Sequence, residues 1–579
     1  MPRTTRRHAF ARGASNMQQF LFESFAMCLL LSCSAPLVGA ATPSFQEAGE
    51  SALAFRHISP ISPERHLHLF MGSGVGWADF DRDEQLDLMF CQGTPVPSTL
   101  PLNSPPALRV WRGERGQFSD CSTAARLHGA TYAFGLTIAD FNHDGFADVF
   151  VTGLLTAALY ENNGDGSFTD RTNAAGIVPS GFGTGCCWTD FDQDGHLDLI
   201  YVRYITIPQG KYPLCTAQFR GRAMPLSCNP RHLTGDGDSL YRSRGDGTFE
   251  DVSAKGGFAT GPLRQGLGCV ALDLDDDGAC EIYVANDSSP NDLWTRTNDG
   301  RLEERGLLAG VALNRYGAAE AGMGIAVGDV DGDLRPELFV TNYFNETNTL
   351  YRNEGNLLFL DVTEEVALAA PSRQRLGFGT NLVDFDNDGW LDLFVANGHV
   401  HDDVPLQMHP GETFAQLSQL FSNREGRRFD DASQTAGAYF QQPTVARGSA
   451  VADFDDDGRE DLAIVRLNGP AALLRNTSQQ SDHWLAIELR GTESNRDAIG
   501  ASVIVRAGRK AWRRDRMASS SYLSCDAPRL HFGLGDQTAV DSIEVRWPTG
   551  KRELFPTPDT GRTTTLVEGT GRPVARPPR

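Results

Sequence analysis

A nine-residue acidic pattern recurs seven times along the chain, and it constrains the fold more than any other feature. Each copy carries acidic or amide side chains at positions 1, 3, 5 and 9, and five copies have glycine at position 6. Independent solvent-exposed loops would not keep their acids in one register. We number the copies loop 1 to loop 7; they span residues 79–87, 140–148, 190–198, 273–281, 329–337, 384–392 and 453–461.

This spacing of acids predicts a binding site for a hard divalent cation. Calcium takes six to eight oxygen ligands at about 2.3–2.6 Å, and alternate positions of a curled loop can direct three side chains inward. We expect position 7 to offer its carbonyl oxygen and the acid at position 9 to close the site. The predicted ligands are Asp79, Asp81, Asp83 and Asp87 (loop 1); Asp140, Asn142, Asp144 and Asp148 (loop 2); Asp190, Asp192, Asp194 and Asp198 (loop 3); Asp273, Asp275, Asp277 and Glu281 (loop 4); Asp329, Asp331, Asp333 and Glu337 (loop 5); Asp384, Asp386, Asp388 and Asp392 (loop 6); and Asp453, Asp455, Asp457 and Asp461 (loop 7).

The pattern differs from an EF-hand, and its copies differ from one another. An EF-hand places its closing glutamate at position 12 between helices, whereas these loops close at position 9 between strand-like segments. The chain has a formal net charge of −22 at pH 7, and up to seven Ca²⁺ ions would relieve much of its self-repulsion. Glu84 and Leu334 replace the glycine that suits a sharp turn with positive φ, so we expect loops 1 and 5 to bind weakly or not at all.

The setting of each loop predicts a seven-bladed β-propeller and hence an all-β fold. A small-residue and apolar strand precedes each loop, a β-rich run follows it, and most repeats add a hairpin such as 159–170. Four-stranded units at this spacing are typical of propellers, with a solenoid as the alternative. The seventh repeat lacks its last strand, and F-Q-E-A-G (45–49) is an unattached copy of one. We therefore expect residues 45–49 to complete the seventh blade.

The N-terminus predicts export from the cytoplasm. Residues 1–40 combine an arginine-rich start with a short apolar stretch that ends in small residues, which is typical of a signal peptide. Cleavage before Cys33, giving a lipoprotein, is a weaker alternative, and no other segment resembles a membrane span. The expected location is secreted, extracellular or periplasmic. In such an oxidising compartment Cys215 and Cys228 are the best disulfide candidates, and the strong negative charge argues against nucleic-acid binding.

Motifs along the whole mature chain resemble a known family. The D-x-D-x-D-G-x-x-D loops with their G-x-G lead-ins resemble FG-GAP/VCBS repeats, which occur in integrin α-subunit propellers. The segments 495–503, 520–524, 530–536 and 541–550 resemble the ASPIC/UnbV domain. The combination is similar to the cartilage acidic protein family and its bacterial relatives, although the EGF-like module of some members is missing. We expect a propeller at 41–480, a small β domain at 481–570 and a disordered tail at 571–579.

Four other motifs carry a functional reading and a structural one, and we favour the structural reading in each case. Arg244-Gly245-Asp246 spells an integrin-recognition tripeptide but aligns with an ordinary repeat hairpin. His399 and His401 lie beside acids and could bind a transition metal, yet a structural loop is the expected role. Ser519–Ser521 with His531 lack the G-x-S-x-G elbow of a nucleophile. The basic run 506–516 could dock glycans or the acidic propeller, but we expect a solvated strand face.

Two classes of function fit the sequence. The first is a secreted calcium-binding module that engages an extracellular protein or a glycan, for example in cell adhesion, through loops on one face of the propeller. The second is a metal-dependent carbohydrate-active enzyme, a lyase or dehydratase, on the same scaffold. An enzyme would need a convergent set of His, Tyr, Arg and acidic residues at the central channel, and only residues 397–403 hint at one. Binding is therefore the favoured class; the oligomeric state is open.

Overall fold

A computed structural model describes residues 42–49, 52–94, 106–127, 129–208, 212–219, 221–402, 412–479 and 483–574. These residues belong to one compact unit, Ala41–Arg579, and the predicted signal peptide with Cys33 lies outside them. No described helix is long and apolar enough to cross a membrane. The helices are α1 (His68–Met71), α2 (Gly306–Ala309) and α3 (Ala369–Ser372), with 3-10 turns at Pro230–His232, Phe258–Thr260 and Ala438–Gln441.

The described fold is all-β, and seven antiparallel four-stranded sheets precede residue 477. The first strand of the chain, β1 (Phe45–Glu47), belongs to the seventh of them. Sheet 1 contains β2 (Val75–Ala78), β3 (Asp87–Cys91), β4 (Leu108–Glu114) and β5 (Gln117–Asp120); sheet 2 contains β6 (Ala133–Ala139), β7 (Asp148–Gly153), β8 (Thr156–Asn162) and β9 (Phe168–Asp170).

Sheet 3 carries the long insert between loops 3 and 4. The insert includes a separate hairpin of β12 (Cys215–Phe219) and β13 (Arg222–Leu226), and the predicted Cys215–Cys228 disulfide is present. Sheet 3 itself contains β10 (Gly183–Thr189), β11 (Asp198–Arg203), β14 (Ser239–Ser243) and β15 (Phe249–Asp251).

The remaining four sheets repeat the same order. Sheet 4 contains β16 (Gly266–Leu272), β17 (Glu281–Asn286), β18 (Asp292–Arg296) and β19 (Leu302–Glu304); sheet 5 contains β20 (Ile325–Gly328), β21 (Glu337–Val340), β22 (Thr349–Asn353) and β23 (Phe359–Asp361); sheet 6 contains β24 (Gly377–Val383), β25 (Asp392–Asn397), β26 (Gln419–Asn423) and β27 (Phe429–Asp431); sheet 7 contains β28 (Ala446–Ala452), β29 (Asp461–Arg466), β30 (Ala472–Asn476) and β1.

The N-terminal strand takes the place that we predicted for it. Phe45 pairs with Asn476 and Glu47 with Leu474, so β1 supplies the outer strand that the seventh repeat lacks. Phe45 is buried, and its ring lies 5.2 Å from that of Phe385 in loop 6. The first and last segments of the repeat region are thus joined in one sheet.

Consecutive sheets pack face to face through apolar cores. Sheets 1 and 2 share one such core, and the same holds for each following pair up to sheets 6 and 7. Sheets 7 and 1 share another, which brings Ala450 and Leu473 together with Trp77 and Leu88. The inner strands of the sheets are buried on both faces, as in β6, β7, β16 and β17, so water reaches the sheets mainly at their outer strands.

Glycines of the lead-in segments allow this packing, because each brings a first strand against its neighbour. A Cβ added at Gly185 would lie 2.6 Å from the Leu267 carbonyl oxygen at the edge of sheet 4, and one at Gly448 would lie 2.7 Å from that of Ser73 before sheet 1. Any side chain there would force the two backbones apart.

The C-terminal part of the chain forms two smaller sheets with a core of their own. One sheet contains three strands and the other five. The strands are β31 (Trp484–Arg490), β32 (Ser502–Ala507), β33 (Lys510–Asp515), β34 (Leu530–Gly533), β35 (Ser542–Arg546), β36 (Arg552–Phe555), β37 (Arg562–Val567) and β38 (Arg572–Pro573). All of them lie within the predicted β domain (481–570) except β38, which falls in the segment 571–579 that we expected to be a disordered tail and pairs with β36.

The connecting segment (residues 517–527), between β33 and β34, reaches back to the first strands of the seven-sheet region. Ser519 donates to the Cys269 carbonyl of sheet 4 at 2.8 Å, and the Ser521 amide donates to Ile325 of sheet 5 at 2.7 Å. The Ser521 hydroxyl accepts from the Thr380 amide of sheet 6 at 2.9 Å. The Cys525 amide bonds to Val75 of sheet 1. One short segment therefore joins strands that are remote in sequence.

Candidate metal centre: seven acidic loops

Each acidic loop connects the first two strands of its sheet, and its position 1 carboxylate organises the turn. In loop 6, Asp384 accepts the amide of Asp388 at 3.0 Å and that of Gly389 at 2.8 Å. Asp388 in turn accepts the Trp390 amide at 2.8 Å. The bonds from the amides of positions 6 and 7 recur in all the other loops, whereas in loops 2 and 4 the position 5 amide donates to position 3 instead. Two of the predicted ligands therefore also hold the loop backbone in shape.

The acid at position 9 is a buried anchor as well as a predicted ligand. Asp392 begins β25 and accepts the Phe385 amide at 3.3 Å and the Asn423 amide of the third strand at 2.9 Å. Glu337, one carbon longer, makes the equivalent bonds in loop 5, from Val330 and Asn353. Both oxygens of this acid therefore already accept backbone donors, a structural role that the sequence pattern does not reveal.

The backbone of the turn is left-handed at two positions in each loop, of which we predicted one. At position 6, Gly389 has φ +98°, and Glu84 and Leu334 adopt +67° and +69° without glycine. Position 4 is also left-handed, as at Asn387 (+55°), while loop 5 places Gly332 (+79°) there. Loops 1 and 5 therefore form the same turn as the others, and loop 5 has its glycine at position 4 instead of position 6.

Acidic oxygens converge inside the loops, as a cation site requires. In loops 1, 3, 4, 5 and 6, three acids each bring one oxygen within 4.8 Å of the other two. Several of these carboxylates have a buried oxygen that no hydrogen-bond donor reaches, an expensive state for a lone carboxylate. The oxygens are Asp81 Oδ1, Asp140 Oδ1, Asp192 Oδ1, Asp273 Oδ1, both oxygens of Asp386, and Asp455 Oδ1.

Burial makes the ionised form of these acids costly. It is the largest cause that raises the pKa of Asp190 and of Asp386 to about 7, and neighbouring carboxylates add to the effect. The pKa of Asp148 rises to about 9 for the same reason. A divalent cation would favour the ionised form, so the donorless oxygens and the raised pKa values both fit a calcium ion in these loops.

Arginines neutralise some of the acids in certain loops. In loop 5 Arg335 pairs with Asp333, and in loop 7 Arg459 pairs with Asp457. In loop 4 Arg546 of β35 pairs with Asp273 and, at 2.7 Å, with Asp276. These loops therefore differ in the charge left for a cation, a difference that the nine-residue pattern does not show.

The basic run 506–516 contradicts our expectation of a solvated strand face in its central part. Arg513 is buried and donates to Asp276 at 3.2 Å, to the Asp273 carbonyl at 3.0 Å and to the Leu334 carbonyl at 3.1 Å. Arg516 is buried as well, whereas Lys510 stays exposed. The planar guanidinium can satisfy several acceptors at once, and here it docks on the acidic repeats, which was one of the alternatives.

The C-terminal sheets cover the tips of several loops. Gly458 of loop 7 lies under Trp484, and the Glu493 carbonyl oxygen would be 2.8 Å from a Cβ added at Gly195 of loop 3. Arg496 pairs with Asp140 of loop 2 at 3.4 Å. The C-terminal sheets therefore cover part of the loop end, while tip residues such as Asp83, Asp144 and Asp194 stay exposed.

The histidines at 399 and 401 have structural contacts, in line with the role we favoured. His399 is fully buried; its Nε2 lies 3.0 Å from Glu412 Oε1 and its Nδ1 accepts the His401 amide at 3.0 Å. Burial lowers the pKa of His399 to about 3. The Nδ1 is engaged within the fold, whereas the buried Nε2 makes no hydrogen bond to any described residue despite its approach to Glu412. The carbonyl oxygen accepts from Arg447 at 2.9 Å.

The tripeptide and the serine–histidine candidates also have ordinary roles. Arg244-Gly245-Asp246 lies in the hairpin between β14 and β15, where Asp246 accepts the Thr248 amide at 3.0 Å. Ser519 and Ser521 are buried against sheets 4 to 6. The His531 Nε2 lies 2.6 Å from Asn387 Oδ1. None of these contacts resembles a nucleophile paired with its base.

Comparison with known families agrees with this arrangement. The model of the FG-GAP-like repeat family matches residues 154–201, 273–340, 329–395 and 384–464, and the model named ASPIC and UnbV matches residues 491–573. The chain contains FG-GAP-like repeats followed by an ASPIC/UnbV domain. The resemblance inferred from the motifs is confirmed.

Three curated relatives carry the name cartilage acidic protein 1. The mouse protein is 27% identical over 376 residues, the human protein 27% over 372, and the Xenopus tropicalis protein 25% over 383. The matches cover 54% of this chain and 55–56% of the relatives. The chain thus matches about half the length of these relatives.

A solved structure also aligns with the chain. It comes from a study of the recognition of non-reducing terminal N-acetylglucosamine by an Agrocybe aegerita lectin, with 14% sequence identity and a TM-score of 0.36. The alignment covers 69% of this chain and 87% of the lectin chain. A TM-score this low does not establish a shared arrangement of the sheets.

Proposed function

We propose that this protein is an extracellular, calcium-stabilised binding module that engages a protein or a glycan. The observation that carries the proposal is the repeated cluster of acids with buried, donorless oxygens at the same place in successive repeats. Calcium would be held by the acids at positions 1, 3, 5 and 9, and it would supply the charge that makes their ionised form stable in the folded protein.

The module is proposed to be a closed seven-bladed β-propeller (41–480) followed by the ASPIC/UnbV β domain (481–570). Support comes from the seven four-stranded sheets, from the apolar core shared by sheets 7 and 1, and from the pairing of β1 with β30. Such a ring leaves two ends and a rim. Because residues of the C-terminal sheets cover part of the loop end, we expect partners to bind the rim or the other end.

Export through the predicted signal peptide gives an extracellular or periplasmic location, and we propose no lipid anchor at Cys33 because no finding supports one. A catalytic role is not favoured. His399 is fully buried, with its Nδ1 held by the His401 amide, and the names of the matched relatives state no reaction.

Metal removal tests the proposal directly. The mature protein is dialysed against EDTA, its bound calcium is measured by elemental analysis, and its thermal midpoint is followed as calcium or magnesium is restored. We expect several calcium ions per chain and a midpoint that falls without them, since a ligand of the folded state stabilises it by mass action. A protein that carries no calcium and melts equally well in EDTA contradicts the proposal. A protein and glycan screen in both states then tests partner binding.

A further inference from the structure

His68, the first residue of α1, is a completely buried histidine that the acidic loops and the C-terminal contacts do not use. Neither of its ring nitrogens has a hydrogen-bond partner among the described residues. Buried polar side chains are nearly always hydrogen-bonded, so an exception in the interior needs a physical explanation. A histidine with two such nitrogens is a place where the fold leaves room for a partner from outside the chain.

Two more side chains with buried, unpartnered polar atoms surround His68. The His66 ring lies 5.9 Å from the His68 ring, and the Tyr212 ring lies 4.9 Å from both. His66 Nδ1 and the Tyr212 hydroxyl are buried and find no hydrogen-bond partner in the described part of the chain. Tyr132 contacts His68 at 5.4 Å between ring centres, but its hydroxyl donates to Ser59 at 3.2 Å. We call His66, His68 and Tyr212 the histidine–tyrosine cluster.

The histidine–tyrosine cluster lies at the end of the sheets opposite the acidic loops. Tyr132, which His68 contacts, immediately precedes β6, whereas loop 2 follows that strand. Tyr212 belongs to the long insert that follows β11, and the disulfide between Cys215 and Cys228 ties the ends of the insert hairpin. The cluster therefore joins the N-terminal segment to the insert of sheet 3, away from the predicted calcium ligands.

The donor atoms of the cluster suit a transition-metal ion and not calcium. Neutral imidazole is a common ligand of Zn²⁺ and Cu²⁺, whereas calcium takes oxygen ligands. Burial is the largest cause that lowers the pKa of His66 and of His68, the latter to about 3, so both rings are neutral at pH 7. Burial also raises the pKa of Tyr212, so the phenol would release its proton only as the metal binds.

The spacing of the two histidine rings is compatible with one shared ion. With a nitrogen–metal bond of about 2.1 Å, each ring centre lies about 3.2 Å from the ion, so two rings on one ion have centres at most about 6.5 Å apart. The rings of His66 and His68 are 5.9 Å apart. One ion would thus satisfy an unpartnered atom on each of three side chains from a single point.

We propose that the histidine–tyrosine cluster binds one transition-metal ion, held by a ring nitrogen of His68, by His66 Nδ1 and by the Tyr212 oxygen. The ion would fix the N-terminal segment, which also supplies β1, to the insert of sheet 3. Three protein ligands leave the fourth position of a tetrahedral site for a water molecule or for a donor of a partner. This inference does not depend on calcium in the acidic loops.

Calorimetric titration of the mature protein with Zn²⁺ and with Cu²⁺ tests the site. Excess calcium is present throughout, so that the acidic loops are occupied by their own ion. We expect one transition-metal ion per chain, and binding more than about a hundredfold weaker in His68→Phe and in His66→Phe, since even a group that only orients a ligand is worth about 10–100-fold. His232→Phe is the matched control, because His232 lies in the same insert but is exposed; it should bind as the wild type does.

The copper complex gives a second readout for Tyr212. Coordination of its phenolate should produce a ligand-to-metal absorption band, and Tyr212→Phe should lack this band. Phenylalanine at position 68 keeps a ring against Tyr132 and removes both unpartnered nitrogens, so metal-free His68→Phe should melt at or above the temperature of the metal-free wild type.

Two results would overturn the proposal. The first is a wild type that binds neither Zn²⁺ nor Cu²⁺ in excess calcium, which would leave ordered water as the partner of His68. The second is a bound ion that His68→Phe and His66→Phe both retain with unchanged affinity, which would place it elsewhere. The calcium content of all these variants should equal that of the wild type, so a failure here is distinct from a failure of the proposed calcium sites.

Discussion

The indole of Trp512 in β33 lies directly against Gly389 of loop 6, where an added Cβ would be 2.6 Å from the indole nitrogen. Gly389 also has φ +98°, so the same residue allows the turn of the loop and the approach of the C-terminal domain. Trp484 covers Gly458 of loop 7 in the same way. The glycine of the repeat thus serves the contact between the two parts of the chain as well as the loop.

The Gly389→Ala variant should therefore be less stable for two reasons. A non-glycine residue at positive φ costs about 1–2 kcal/mol, and forced overpacking adds about 1–3 kcal/mol. Gly247→Ala is the control: it has φ +81° with nothing within 4 Å of the added Cβ, so it carries the first cost alone. Denaturant unfolding of both variants measures the difference. Equal losses of stability would mean that Trp512 yields without cost.

Phe45→Ala should destabilise the whole seven-sheet region by about 3–5 kcal/mol, the usual cost of removing a buried aromatic ring. Phe45 packs against Phe385 and Phe440, and its strand closes sheet 7. Gln46→Ala, on the exposed side of β1, is the control and should have little effect. Deletion of residues 41–52 should act in the same direction more strongly. Hydrogen exchange that increases only in sheet 7 would contradict a cooperative loss.

Much of this fold could be predicted because each repeat is local in sequence. Most of the sheets are built from strands that follow one another in the chain, so strand patterns and turn residues report on them directly. Short sequence patterns also predicted the role of the F-Q-E strand and the disulfide. Phe45 pairs with the last strand of sheet 7, and Cys215 is bonded to Cys228. The candidate ligands converge within loops of nine residues for the same reason.

The contacts between the C-terminal domain and the acidic loops could not be predicted from the sequence. Arg513 reaches loop 4 over more than 200 residues, and no local pattern distinguishes it from the exposed Lys510 nearby. The second left-handed position had a signal that we missed, since Gly332 stands at position 4 of the one loop with a leucine at position 6. The anchoring role of Asp392 depends on a strand 31 residues away.

The buried histidines should contribute a loss of stability to the calcium-saturated protein as the pH falls from about 7.5 to about 5, opposed by buried carboxyls such as Asp238 and Glu320, whose pKa burial raises to about 7. Burial lowers the pKa of His57, His68 and His531 to about 3, compared with an ordinary value of 6.5. In this range these histidines bind protons in the unfolded chain but not in the folded protein, so their contribution to stability is full above pH 6.5 and is lost progressively below it. Urea unfolding at several pH values in excess calcium measures the slope.

A single histidine can be assigned its share of that slope. His531→Asn keeps a polar side chain beside Asn387 but cannot titrate, so its stability should depend less on pH than that of the wild type. The substitution will lower stability at every pH by a similar amount, and only the slope is diagnostic. A variant that remains as sensitive to acid as the wild type would show that the proton uptake of unfolding lies elsewhere.

Asp384→Ala should remove more bound calcium and lower the melting temperature further than Asp329→Ala. Both residues hold their turns by accepting the amides of positions 5 and 6, so the loss of these bonds affects both variants alike. The loops differ in what remains: both Asp386 oxygens lack a donor in loop 6, whereas Asp333 of loop 5 is already paired with Arg335. Loop 6 therefore has more charge that only a cation can compensate.

The comparison of loops 5 and 6 also distinguishes the explanation based on charge from the explanation based on the missing glycine at position 6. From the sequence we expected loop 5 to bind calcium weakly because Leu334 replaces the turn glycine, but Leu334 adopts the same left-handed backbone. An Arg335→Gln variant releases Asp333 without changing the turn. If charge decides the grading, this variant should bind calcium in loop 5 more tightly and make Asp329→Ala as costly as Asp384→Ala. If Arg335→Gln leaves calcium binding unchanged while Leu334→Gly strengthens it, the turn and not the arginine limits the calcium affinity of loop 5.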